Sequence, residues 1–155
     1  MANLDDLYRE IILDHYRSPR NRGELAPPAH RTEGFNPLCG DEIVIYVQIE
    51  DGVLTDIKLT GHGCSISQSS SSLMSTAVKG KPLEHVRATI ATFKDLMMTR
   101  ETKLGEEATD PSGEANLRRL GELAALAGVV KFPVRIKCAT LAWNTLTQAL
   151  DEVDA

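Results

Sequence analysis

The dipeptide Asp51-Gly52 lies between two runs of alternating apolar residues, and this arrangement constrains the fold more than any other stretch of the chain. Upstream, Ile43, Ile45, Val47 and Ile49 alternate with Val44, Tyr46 and Gln48. Downstream, Leu54, Ile57 and Leu59 sit among polar residues between Val53 and Thr60. A period of two places one set of side chains on a single face of a strand, and Asp-Gly accepts the positive φ angles of a tight hairpin turn. An antiparallel hairpin is therefore expected, with Arg31 to Phe35 supplying a third strand.

The rest of the pattern is helical. Leu4, Leu7, Tyr8, Ile11 and Ile12 recur at helical spacing and form one apolar stripe from Asn3 to Arg17. Asn3 suits the N-cap, Asp5 and Asp6 suit the positive end of the helix, and Ser18-Pro19 terminates it. Ser67 to Val78, Pro82 to Met98 and Glu114 to Ala127 read as further helices, and Ala142, Leu146, Ala149, Leu150 and Val153 mark another. Ser69 to Ser72 read as a small-residue helix face that allows close packing, and His15 as a packed or capping side chain. Gly105, Asp110-Pro111 and Gly113 read as an exposed connection rather than a domain boundary. The expected architecture is α+β: a small antiparallel three-stranded sheet packed with several helices, in a single domain over residues 1–155.

Charge narrows the partners. The 155 residues carry 17 Lys plus Arg against 22 Asp plus Glu, a net charge of −5. An acidic surface is a poor match to a phosphate backbone or an anionic bilayer, so neither nucleic acid nor a membrane is an expected partner. No apolar run approaches the roughly 20 residues of a membrane span. Asp5, Asp6 and Glu10 leave no apolar signal core near Met1, so a cytoplasmic location is expected.

Three cysteines, Cys39, Cys64 and Cys138, carry the candidate chemistry. An odd count argues against a disulfide framework, which leaves inert buried thiols or ligands. The local sequences favour ligands. Asn36-Pro37-Leu38-Cys39-Gly40-Asp41 is a turn presenting a thiol and a carboxylate two residues apart. In Gly61-His62-Gly63-Cys64-Ser65-Ile66-Ser67 the cysteine precedes a helix, whose positive end favours a thiolate, and the glycines allow close backbone approach. Arg135-Ile136-Lys137-Cys138-Ala139 repeats the theme, with the cysteine again expected just before a helix and two cations beside it. Three sulfurs and the Asp41 oxygen make a tetrahedral set suited to Zn²⁺. The spacing is not that of a zinc finger, so the fold must gather the ligands. His62 is open to two readings, a spare ligand or proton carrier and an exposed turn residue, of which the second is the commoner. No Walker A or Gly-x-Gly-x-x-Gly run supports nucleotide binding, and nothing singles out His15, His30, His62 or His85 as the base of a Cys–His hydrolase.

At these three segments the chain resembles the U-type iron–sulfur assembly family, which includes the IscU scaffolds, the N-terminal part of NifU, and SufU. The resemblance covers nearly the whole chain, taking in Tyr16-Arg17-Ser18-Pro19-Arg20-Asn21, Pro37-Leu38-Cys39-Gly40-Asp41, Gly63-Cys64-Ser65-Ile66-Ser67 and Cys138-Ala139-Thr140-Leu141-Ala142-Trp143. It implies Cys39, Asp41, Cys64 and Cys138 as metal or cluster ligands. Three features resemble the SufU type rather than the scaffolds. Lys137 stands where scaffolds have His, and Val130-Lys131-Phe132-Pro133-Val134-Arg135 replaces their chaperone-binding sequence. The segment between the second and third cysteines, which includes Asp110 to Gly128, is also longer. The SufU resemblance implies a zinc-dependent sulfur acceptor that takes persulfide sulfur from a SufS-type cysteine desulfurase and serves downstream iron–sulfur assembly proteins. Cys39 is then the acceptor, Asp41 the ligand easiest to displace, and Arg135 a support for the site or the docked complex. The residues themselves leave the choice among the three thiols open. The alternatives are a scaffold for a [2Fe-2S] cluster on the same ligands and a purely structural zinc domain.

Overall fold

Asp51 and Gly52 have φ angles of 53° and 74°, the pair of positive values a two-residue hairpin turn requires. In this computed structural model, which describes residues 4–37, 40–102, 126 and 133–154, the turn joins β2 (Asp41–Glu50) to β3 (Val53–His62), with Glu50 opposite Val53. β1 (His30–Asn36) pairs antiparallel with the other side of β2, setting Asn36 opposite Asp41. Ile43, Ile45 and Val47 of β2 and Ile57 and Leu59 of β3 are buried, as the alternation requires, and Leu54 is buried too although it stands three residues from Ile57. The register shifts between Gln48 and Ile49, a bulge near the hairpin end.

The sheet has four strands rather than three, in the order β1-β2-β3-β4. The extra strand, β4 (Lys81–Pro82), pairs with Val53 and Leu54 at the far edge of β3. It is too short to show alternation. Proline is also a poor strand signal because it cannot donate to a ladder, which confines it to an edge such as this.

Four helices complete the described structure: α1 (Leu4–Arg17), α2 (Ser65–Val78), α3 (Leu83–Thr102) and α4 (Pro133–Asp154). α4 packs on β1 and β2, α2 on β3, and the two helices lie against each other, with α1 on the other flank of α2. Thr145 of α4 sits so close to Gly34 of β1 that a side chain at residue 34 would collide with its hydroxyl. The core between sheet and helices includes Leu73, Met74, Phe93, Trp143, Leu146 and Leu150. The rings of Phe93 and Trp143 stack with centroids 4.2 Å apart and planes 15° from parallel, a geometry that adds to their area burial.

The serine face of α2 is buried, as its small residues lead one to expect, and it is also a line of polar contacts. The Ser72 hydroxyl oxygen meets His15 Nδ1 at 2.7 Å and accepts the Arg20 N–H at 2.9 Å. The Ser75 hydroxyl oxygen accepts Asn21 Nδ2 at 2.9 Å. These contacts tie α1 and the following turn to α2, and they make His15 a packed side chain, 2% exposed. The expected Asn3 cap, the 105–113 connection and the helix over 114–127, apart from buried Leu126, lie outside the described residues.

Candidate metal centre

Three donor groups converge at the end of the sheet where β2 starts and β3 finishes. One ligand atom each from Asp41, Cys64 and Cys138 lie within 4.8 Å of one another, the one such group of three or more among the described residues. Asp41 opens β2 and is fully buried. Its Oδ1 accepts the backbone N–H of Cys64 at 2.9 Å, and its Oδ2 lies 3.9 Å from Cys64 Sγ. A buried carboxylate with one oxygen satisfied and the other facing sulfur is costly by itself, and a bound cation removes that cost. Two soft sulfurs beside a hard oxygen form a donor set that suits Zn²⁺. The residues fit the metal.

Gly63 permits this approach. A Cβ on residue 63 would collide with Asp41 Oδ1 and come within 2.9 Å of its Cγ. The expectation that glycine lets the backbone pass closely is met here.

The two described cysteines are held in different ways. Cys64 is the N-cap of α2, in an extended conformation, and its sulfur accepts the Ser67 N–H at 3.4 Å. That position, at the positive end of the helix, is the expected one. Cys138 departs from expectation. It lies inside α4, five residues after the helix begins at Pro133, rather than before a helix. Proline is well suited to the first helical position, and buried Ile136, Ala139 and Trp143 then continue the stripe. Cys138 is 1% exposed, and its sulfur receives Asn36 Nδ2 at 4.0 Å. Both cysteines are thiols rather than disulfide halves.

Sequence reasoning passed over Asn36, although it sits in the quoted turn. Its signal was positional: the last inward residue of β1 must face the same space as Asp41, its partner in register. His62 is exposed, 3.8 Å from the Glu42 carboxylate and outside the converging group; it is the last residue of β3 rather than a turn residue, and its exposure fits that reading better than a ligand role. Arg135 lies on the first turn of α4, three residues before Cys138. Cys39 falls outside the described residues.

A helical layer on an antiparallel sheet, with two thiols and a carboxylate gathered at its end, defines an α+β domain built around a candidate metal centre. The NifU-like N-terminal domain model matches residues 7–139, and the chain belongs to that family. It is 41% identical to the zinc-dependent sulfurtransferase SufU of Bacillus subtilis, over 96% of this chain and 92% of that protein. It is 37% identical to the iron–sulfur cluster assembly scaffold protein IscU of Streptococcus pyogenes, over 97% of this chain and 86% of that one. Among solved structures, a candidate SUF-system iron–sulfur assembly scaffold from Fervidobacterium islandicum superposes with a TM-score of 0.78 at 28% identity, covering 96% of this chain and 99% of that one. Among the described residues, no helix is long and apolar enough to cross a membrane.

Proposed function

We propose that the chain, acting as one domain over residues 1–155, is a zinc-dependent sulfur acceptor that takes persulfide sulfur from a SufS-type cysteine desulfurase for iron–sulfur cluster assembly. The observation that carries this reading is the convergence of Asp41, Cys64 and Cys138 within 4.8 Å, with Cys39 two residues before Asp41 to complete the set. The similarity to a zinc-dependent sulfurtransferase supports it. Zinc bound there would hold its sulfur ligands as thiolates.

Cys39 is the acceptor in this reading. Its thiolate attacks the terminal sulfur of the donor persulfide; a new S–S bond forms at Cys39, the donor's S–S bond breaks, and the electron pair leaves with the donor thiolate. The Cys64 N–H holds the Asp41 carboxylate in place, and the buried backbone around Cys138 keeps water from that side of the site. Arg135 supports the site or the docked complex.

The test is peptide mapping by mass spectrometry after the zinc-loaded chain is incubated with a cysteine desulfurase and cysteine. A persulfide on Cys39 that disappears in Cys39→Ser, with loss of desulfurase stimulation, is expected. Normal stimulation by Cys39→Ser would overturn the acceptor assignment. The scaffold reading, favoured by the IscU relative, predicts instead that iron and sulfide replace zinc and remain bound in comparable amounts.

A further inference from the structure

We propose that Ser70 is a positioning residue for the candidate metal centre: its hydroxyl pins the backbone next to Cys138 onto α2, the helix capped by Cys64. The inference rests on the reading of Cys64 and Cys138 as ligands of one metal.

The hydrogen bonds have fixed polarity. Ser70 Oγ donates to the Ala139 carbonyl at 2.5 Å, and Trp143 Nε1 donates to Ser70 Oγ at 3.0 Å. An indole N–H can only donate and a carbonyl can only accept, so the one hydroxyl proton must point at Ala139. Ala139 directly follows Cys138 in the chain, and Trp143 is one helical turn further on. Ser70 thus grips α4 at two points on adjacent turns. All three residues are fully buried, and the Trp143 ring is fixed in turn by stacking on Phe93.

The other serines of this face reach elsewhere. Ser69 and Ser71 hydroxyls donate to carbonyls of α2 itself, at Ser65 and Gln68. Ser72 and Ser75 bond to α1 and the turn after it. Among the described residues, Ser70 is the serine of α2 that bonds to α4.

This matters because the two sulfurs ride on different helices. Metal–ligand distances tolerate only about 0.2 Å of error. A face of small side chains allows close approach, yet it offers few interlocking knobs to stop one helix sliding along the other. The Ser70 clasp supplies that register, one residue from one ligand and six from the other.

Ser70→Ala deletes one oxygen and installs the best helix former, so α2 itself is not weakened. In the full-length chain two quantities are read: zinc affinity by competition with a chromophoric chelator, and alkylation rates of Cys64 and Cys138 in metal-free protein, mapped by peptide mass. Ser70→Ala is expected to weaken zinc binding by about 10- to 100-fold, the range seen for groups that orient ligands. It is also expected to speed alkylation of Cys138 more than that of Cys64, and to shift the emission of Trp143, the sole tryptophan. Trp143→Phe loses the indole N–H but keeps an aromatic ring beside Phe93 and leaves the Ser70–Ala139 bond in place, and should leave Cys138 better protected than Ser70→Ala does.

Wild-type zinc affinity with an unchanged Cys138 rate in Ser70→Ala would overturn the proposal. So would equal acceleration at both cysteines in Ser70→Ala, or exposure of Cys138 in Trp143→Phe as great as in Ser70→Ala. A parent chain that binds no zinc, yet shows selective exposure of Cys138 in Ser70→Ala, would leave the helix clasp standing and remove the ligand reading instead.

Discussion

Cys64 and Cys138 place their sulfurs in one site by opposite means. Cys64 is held locally: it caps its own helix, and its donor, Ser67, is three residues away. Cys138 is held by the tertiary structure: its helix surrounds it, Asn36 reaches it across a sequence separation of 102, and Ser70 grips the adjacent carbonyl across 69. The cap at Cys64 can form as soon as α2 forms, and only its N–H bond to Asp41 waits for β2. The arrangement at Cys138 exists only when β1, α2 and α4 are all in place. A site built this way pairs one ligand that is cheap to preorganise with another that reports on the completed fold.

That contrast can be broken from the Cys138 side with the largest effect. Trp143 is fully buried, stacked on Phe93, and bonded to Ser70. Trp143→Ala is expected to cost about 3–5 kcal/mol of stability, the usual range for a large aromatic removed from a core. Urea unfolding monitored by circular dichroism measures it, and a loss under about 1 kcal/mol would mean that the α3–α4 packing is not what holds α4.

Attacking the Cys64 side at Asp41 gives a smaller and more local change. Gly63→Ala aims a methyl group at the Asp41 carboxylate, and it should weaken zinc binding by about 10- to 100-fold with little change in unfolding. An unaltered chelator competition curve would show that Asp41 can move aside without consequence.

The dual role of Cys64 can be split by two substitutions. Serine is a strong N-cap, so Cys64→Ser should keep the stability of metal-free protein while lowering zinc affinity. Cys64→Ala should lower that affinity and cost a further ~1 kcal/mol of metal-free stability through the lost cap. Equal thermal stability of the two metal-free variants would remove capping from the description of Cys64.

The smallest expected effect lies at the far end of α4. Glu152 accepts the Thr32 hydroxyl at 2.7 Å and lies 3.3 Å from His30 Nε2. Those contacts, Thr32 first and His30 second, hold its carboxyl below the ordinary value of 4.5. A lowered folded-state pKa stabilises the fold above the unfolded value, and this contribution fades as pH falls through the folded one. The melting temperature gap between wild type and Glu152→Gln should therefore close as pH falls below 4.5. A gap that widens in acid would reverse the sign of this linkage.

Local features were readable from the residues alone. The hairpin followed from alternation plus Asp51-Gly52, α1 from its stripe, and the N-terminal position of Cys64 from Gly63 before it and a helix-compatible run after it. What escaped reading depends on partners remote in sequence. Nothing near Ser70 signals Trp143, because a serine run looks the same whether its hydroxyls bond inward or across to another helix. The stripe from Ala142 onward does not reveal the start of α4, because the helix begins at Pro133 and buried Ile136 already belongs to it. Asn36 passed as a turn residue since its reach toward Cys138 needs the β1–β2 register. The two-residue β4 gives no pattern at all.

That short strand has a consequence for colloidal behaviour. An uncovered row of N–H and C=O groups along β3 would be a template for a neighbouring molecule to add a strand. Lys81 and Pro82 occupy the start of that row, the Gly80 N–H bonds the Leu54 carbonyl at 2.7 Å, and the Leu83 N–H bonds the Gly52 carbonyl at 2.9 Å. A cation and an imino acid are poor invitations to further pairing. The hairpin that organises the fold is thereby blunted at the corner where it would otherwise recruit copies of itself.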